Sequence, residues 1–349
     1  MTQENSLRVN FLKFVCAIFV VMIHCAWPLG QPWNWTWIAH QTIFSQGLSR
    51  IAVPFFFLCS GYFLAKHLDT RQNWWRAVCK RVRTLVVPFV IWSVVVVLLC
   101  PIVVVSVWDL ISGRPFGVAA LELLQRVDWL RFFGISWYWP MSVPLWYLRC
   151  LFLFVLVAPV VDFLVKKLEW KWLLVCFALA ISCYLLPEGS DVYDGLYRFF
   201  SLSGLFYFSC GLYFYHHPIV NLRWGGVLCV IIALALTVLK LILLANGFEQ
   251  YSSMCGEASL PFMLYVAWSL TPAKHLPRWM VNMSFPIYLI HQWINIFPSA
   301  CFHRIPFFET IPRTRSFIFI FIGVFGSILV AHLLRRFFPR FARIAFGER

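Results

Sequence analysis

Residues 11–29 read FLKFVCAIFVVMIHCAWPL. The run is apolar over the roughly 20 residues that a helix needs to cross a bilayer, yet Lys13 and His24 interrupt it. It is too long for the core of a signal peptide and no small-residue cleavage site follows, so it reads as a retained anchor. The rest of the chain has the same character. Of its 349 residues 61% are hydrophobic and only 12% charged, and mean hydropathy is +0.78. A soluble domain carries about 25% charged residues. Such a composition cannot cover a water-exposed surface, and it also excludes a disordered chain.

Further apolar segments lie at 50–65, 85–107, 143–165, 170–187, 196–215, 224–245, 258–271, 281–299 and 316–336. With the first they predict an all-α polytopic membrane protein of about ten transmembrane helices in a single domain spanning 1–349. The second and eighth segments are short and contain Pro54 and Pro261. Net charge is +15, with 29 Lys+Arg against 14 Asp+Glu. The cations cluster between apolar runs: Lys66 to Arg83, then Lys166, Lys167 and Lys171, then Arg223, then Lys274 and Arg278, and Arg335 to Arg343 in the tail. The alternate connections hold the acids Asp109, Glu122, Asp128, Glu188, Asp191, Asp194, Glu249, Glu257 and Glu309. This alternation places both termini on the cytoplasmic side, and it explains the positive charge without nucleic acid. The longest outer loop is 108–142. Its Trp129, Phe132, Phe133, Trp137, Tyr138 and Trp139 suit an interfacial belt, although aromatic rings also stack on sugars. The 12 Cys show no CxxC pair and no metal spacing, and they pack as small hydrophobes. No Walker loop or GxGxxG is present, so ATP-driven transport and dinucleotide chemistry have no support.

Ionisable groups inside lipid are costly and are candidates for function. Lys13 and His24 are 11 residues apart, about three turns, and share one helix face, with Asn10 one turn before Lys13. If Lys13 sits at the cytoplasmic interface, His24 lies roughly 16 Å deep. A snorkelling lysine and a packing histidine account for the spacing equally well. Ser284, Tyr288, His291 and Asn295 form a second stripe on the ninth segment, which sets His291 at a similar depth. Interhelical hydrogen bonding is the alternative use of such a stripe. Arg149 in the fourth segment pairs with an acid, binds a phosphate or thioester-linked group, or snorkels. Lys240 reads as a snorkelling residue at the outer end of its segment, and Arg50 is ambiguous. Ser60 has no neighbouring base and no GxSxG elbow, so it is not read as a nucleophile. Lys80, Arg81 and Arg83 either hold donor phosphates or anchor topology.

Five stretches resemble the acyltransferase 3 family of bacterial membrane O-acyltransferases. They are Arg8-Val-Asn-Phe-Leu-Lys13 with the run to His24, Arg50 to Tyr62, Lys80-Arg81-Val-Arg83 ending in Pro88-Phe-Val-Ile-Trp92, Pro144-Leu-Trp-Tyr-Leu, and Ser284-Phe-Pro-Ile-Tyr-Leu-Ile-His291. Each is weak alone; in this order they span residues 8 to about 336. Asn10 stands where the family usually has Asp, Pro144 precedes Leu-Trp where His is common, and Thr84 replaces a frequent Arg. No appended esterase-like domain is read, which points to the stand-alone members. The resemblance implies a protein of the bacterial cytoplasmic membrane that takes an acyl group, most often acetyl, from acyl-CoA and gives it to a hydroxyl of a surface glycan or its lipid-linked precursor. Acetyl-CoA is then a donor substrate rather than a resident cofactor, with no metal, and glycan-assembly proteins are the expected partners. His24 is the implied base or relay, a role an imidazole suits. Lys13 guides the donor or pairs with a carboxylate. Tyr288, His291 and Arg149 orient His24 or stabilise the oxyanion. Lys80, Arg81 and Arg83 hold the donor phosphates. An exporter or flippase for a glycan or metabolite is the competing reading. The lack of two related halves tilts against it.

Overall fold

The protein is described by a computed structural model covering residues 2–25, 47–99, 118–217, 225–302 and 312–348, with 102, 106, 113 and 115 besides. Among the described residues there are helices and turns and no strand. In chain order the helices are α1 (Gln3–His24), α2 (Ala52–Ala65, entered through a 3-10 turn Leu48–Ile51), α3 (Arg71–Arg81) and α4 (Val87–Ser93). Then come α5 (Val118–Gln125), α6 (Trp129–Phe132), α7 (Trp146–Leu168), α8 (Trp170–Ser182) and α9 (Asp191–Tyr193). The series closes with α10 (Leu202–His216), α11 (Gly225–Ala245), α12 (Glu249–Leu270), α13 (Arg278–Phe302), α14 (Pro312–Phe337) and α15 (Pro339–Ala345).

Helical structure runs through most of the described part of each expected segment, and among the described residues five stretches are long and apolar enough to cross a membrane: Gln3–His24, Leu48–Ala65, Val143–Leu168, Gly225–Ala245 and Ser316–Phe337. Helix α11 shows why water cannot be the solvent here. Leu228, Ile231, Leu234, Val238 and Ile242 recur at helical spacing and all are exposed, an apolar stripe that only lipid tolerates.

The centre of the molecule is α1, which stands between α2 and α13 and also meets α14. Thr2 caps its start by accepting from the Asn5 amide, and Glu4 pairs with Arg8 one turn on. Its buried face is Val9, Leu12, Cys16, Ala17, Val20 and Val21, small and branched residues that admit close neighbours. On the far side of α2 lies α10. Here a Cβ on Gly61 would stand 2.1 Å from the Phe208 carbonyl oxygen, and one on Gly211 would stand 2.0 Å from that of Leu58. The two backbones therefore touch, and no other residue type fits at either position.

Several expectations need correction. The basic stretch after α2 is not an open loop: α3 carries it and runs through a π-turn (Val82–Val86), α4 and a second π-turn (Val94–Leu99) without a break. Glu249 and Glu257 do not belong to an outer loop but to α12, which starts nine residues before the expected 258. Its first half is rich in Ser, Glu and Gln, so hydropathy misses it; tertiary packing supplies the burial that an apolar run would otherwise signal. Asp194 is likewise buried and pairs with Arg198 at 3.1 Å. Lys240 does not snorkel: it is 7% exposed and lies against Gly256, where an added Cβ would come within 2.7 Å of its Nζ. The segment at 196–215 is broken by Ser201, whose positive φ of 57° ends a π-turn (Asp194–Phe199) and whose Oγ accepts from the Gly204 amide to start α10. In the outer region Trp129, Phe133, Trp137 and Tyr138 are exposed as a belt would be, while Phe132 is buried. Asp109, Arg223 and Glu309 lie outside the described residues, as does the end of the first segment beyond Cys25.

Candidate functional site

The last turn of α1 and the middle of α13 bring His24 and His291 together, with ring centroids 5.3 Å apart and planes tilted by 34°. Their surroundings differ. His24 is exposed, whereas His291 is fully buried. His291 Nδ1 lies 2.8 Å from the Tyr288 carbonyl oxygen and 3.1 Å from that of Ile287. Both are acceptors only, so Nδ1 carries the proton and donates to its own helix. Nε2 is then left with a lone pair, and it has no hydrogen-bond partner. A buried acceptor without a donor costs about 1–3 kcal/mol. The fixed tautomer thus leaves a nitrogen lone pair unengaged beside the His24 imidazole.

The other members of the α13 stripe support this pair. The Tyr288 hydroxyl donates to the Pro144 carbonyl oxygen, which ties α13 to the entry of α7, and its ring meets Tyr147 edge-on at 5.8 Å. Asn295 Nδ2 donates to Cys25 Sγ at 3.3 Å, the residue after His24. Gln292 accepts from Ser142 at 3.1 Å. Ser60 shares a hydrogen bond of 3.2 Å with the Tyr147 hydroxyl.

Lys13 lies at a separate place. A cavity of about 280 Å³ is lined by Lys13, Phe63, Lys66, His67, Lys80 and Arg81 with Leu64 and Ala77. The Lys13 ammonium sits 4.8 Å over the Phe63 ring. Basic residues from α1, the end of α2 and α3 so converge on one hollow, and this is a place for an anion. Burial and the charges of Lys66, Lys80 and Arg81 hold the His67 imidazole below its usual range. Arg83 is exposed and does not line the cavity. Arg83 lies within the π-turn that begins at Val82, whereas Lys80 and Arg81 end the α-helix before it. Asn10 lines a different hollow, of about 240 Å³, with His275, Arg278 and Asn282, so it does not share the setting of Lys13.

Arg149 is not brought to the histidines by its hydrogen bonds. Its guanidinium donates to the carbonyl oxygens of Gly134, Ser136, Tyr138 and Arg198, at 3.4, 3.3, 3.0 and 2.6 Å. It also stacks 4.8 Å over Phe199. It holds the outer segment 134–138 onto the π-turn before α10, where acceptors are all main-chain oxygens.

Sequence reasoning missed one polar cluster. Glu257 on α12 is 7% exposed, accepts from Ser203 Oγ, and accepts from the Tyr184 hydroxyl at 3.4 Å. Lys240 lies beside it, and the turn carrying Arg50 packs on both α1 and α12. The available signal was the stripe Ser252, Gly256, Ser259 at helical spacing around Glu257. Among the described residues no group of His, Cys, Asp and Glu is arranged to hold a metal ion.

The family model described as an acyltransferase domain matches residues 7–336. A curated relative is the succinoglycan biosynthesis protein ExoH of Rhizobium meliloti (strain 1021), 28% identical over 229 residues. The match covers 64% of this chain and 57% of that protein, so the chain spans somewhat over half the length of the relative. No solved structure matches.

Proposed function

Since the chain belongs to the acyltransferase domain family, we propose that it transfers an acyl group, acetyl foremost, from acyl-CoA to a hydroxyl of a surface polysaccharide or its lipid-linked precursor. The observation that carries this reading is the imidazole pair: His24 accessible, His291 fixed as the Nδ1–H tautomer with Nε2 unengaged. A succinoglycan biosynthesis protein among its relatives supports a polysaccharide acceptor.

In this reading the donor phosphates rest among Lys13, Lys66, Lys80 and Arg81, and the thioester extends along α1 toward His24. His24 takes the proton of the acceptor hydroxyl as its oxygen attacks the thioester carbonyl. The C–O bond forms, the C–S bond breaks, and the proton passes from the imidazole to the leaving thiolate, which departs as free CoA. His291 lies beside the imidazolium and offers its lone pair, which stabilises the charge while it exists. Lys13 serves the donor, and Tyr288 positions His291 through its hold on the Pro144 carbonyl. Arg149 takes no part in the chemistry and keeps the outer segment in place.

The test is transfer of base-labile label from acyl-CoA to extracted glycan by membranes holding wild type or His24→Ala. General acid–base catalysis contributes about 10²–10⁴-fold, so the variant should lose at least two orders of magnitude at equal protein level. Transfer undiminished in His24→Ala would overturn the role given to that residue. Absence of transfer by wild type to any glycan, with no O-acyl groups on glycan from intact cells, would favour an exporter.

A further inference from the structure

The mechanism above leaves one buried polar cluster unused, that around Glu257. A carboxylate within a span is expensive to bury and is retained where it is paired or where it binds. Its two oxygens offer about four lone-pair positions. Ser203 fills one and Tyr184 a second at the long distance of 3.4 Å, so capacity remains. Tyr207 stands one turn on from Ser203 on the same face of α10; it is 2% exposed and its hydroxyl has no hydrogen-bond partner. An unpaired buried hydroxyl and an unsaturated carboxylate in one place call for a molecule with several hydroxyl groups.

The neighbouring aromatic residues match the rest of such a molecule. Tyr184 meets Tyr197 at 5.3 Å, and Tyr197 meets the half-buried Trp139 at 6.1 Å. Half-buried rings beside a carboxylate can take the apolar C–H face of a sugar ring while its hydroxyl groups bond to the acid. None of these residues lines the Lys13 cavity, so the two places are distinct. Arg50, which is exposed, stands in the turn Leu48–Ile51, which packs both on α1, the helix of His24, and on α12, the helix of Glu257.

We infer that Glu257, Tyr207, Tyr197 and Trp139 form the acceptor-sugar subsite, with Arg50 between the bound sugar and His24. This rests on the acyltransferase reading above. Glu257 and Tyr207 are specificity residues and take no proton from the reacting hydroxyl.

The experiment is steady-state transfer from labelled acyl-CoA to extracted glycan, with both substrates varied, for wild type, Glu257→Gln and Tyr207→Phe in detergent or membranes. CoA binding and thermal unfolding are measured on the same samples. Glu257→Gln should lower kcat/KM for the glycan at least tenfold and leave the KM for acyl-CoA and CoA binding unchanged. Tyr207→Phe removes one oxygen and relieves an unpaired hydroxyl, so it should unfold no earlier than wild type yet lose about three- to tenfold in kcat/KM for the glycan. Equal loss for both substrates, or loss that follows only the amount of folded protein, overturns the subsite. So does an unchanged glycan kcat/KM in Tyr207→Phe, even where Glu257→Gln fails to fold. A wild type that binds CoA but transfers nothing overturns the acyltransferase reading itself, a result distinct from active wild type with unaffected variants.

Discussion

Arg81 and Arg83 are two positions apart and do different things, because only Arg81 faces the cavity that Lys13 and His67 share. A charge-assisted hydrogen bond to phosphate contributes about 1.5–3 kcal/mol. Arg81→Ala should therefore raise the KM for acyl-CoA about 10- to 100-fold with kcat nearly kept, and Arg83→Ala should raise it less. His67 gives the cavity a pH dependence. Its imidazole is held below the usual range by burial and by Lys66, Lys80 and Arg81, so it is neutral near pH 7. A bound phosphate stabilises the protonated ring and lifts its pKa, so binding takes up a proton. By linkage, affinity for CoA increases as pH falls through the raised pKa of the bound state toward the lowered pKa of the free cavity. Titration calorimetry in buffers of different ionisation enthalpy should show the uptake, and His67→Gln should abolish it. The candidate residues were legible in the sequence to the extent that they were ions in apolar runs: Lys13, His24, His291, Lys80 and Arg81. Their partners were not. Nothing in the spacing tells that His291 commits Nδ1 to main-chain oxygens or that Arg149 turns to main-chain carbonyls, since both depend on which backbone groups the fold leaves open.

At the scale of elements, the contact of α2 with α10 is the tightest described, and two glycines permit it. Gly211→Ala would put a methyl group 2.0 Å from the Leu58 carbonyl oxygen. The helices must then separate, at a cost of about 1–3 kcal/mol or more, because backbone cannot swing aside as a side chain can. Fluorescence-detected size exclusion after heating should show Gly211→Ala aggregating several degrees below wild type. The sequence reveals an element wherever lipid does the burying. Segments such as 224–245 appear as continuous apolar runs because their outer faces meet hydrocarbon. It conceals one wherever protein does the burying. The first half of α12, with Ser252, Gly256, Glu257 and Ser259 turned inward, has the hydropathy of a loop. The continuous helical path from Arg71 to Leu99 is hidden for a related reason. Its first turns are basic and amphipathic, and the π-turns that carry it onward have no sequence period of their own.

For the whole molecule, the charge alternation predicts which face is cytoplasmic. Cys79 lies on α3 amid cations and is exposed, while most other described cysteines are buried. In a background where the remaining cysteines are alanine, a membrane-impermeant thiol reagent should modify Cys79 in inverted vesicles and not in intact cells. Labelling from outside would reverse the orientation that the charge alternation predicts. CoA should slow this labelling, since Lys80 is its neighbour in the cavity wall.

In the proposed reaction the path of α1 would also measure the donor. Eleven residues separate Lys13, at the cationic hollow, from His24, at the imidazoles, and a helix fixes that interval at roughly 16 Å. Main-chain hydrogen bonds make it a rigid ruler. A thioester on a shorter arm would dock its phosphates correctly and present its carbonyl too low to be attacked, as a plug in the hollow and not as a donor. One on an arm of the right reach but without phosphates would have nothing to hold it at zero. The enzyme would then select its donor by length as well as by charge, and truncated CoA thioesters should inhibit transfer competitively without themselves being consumed.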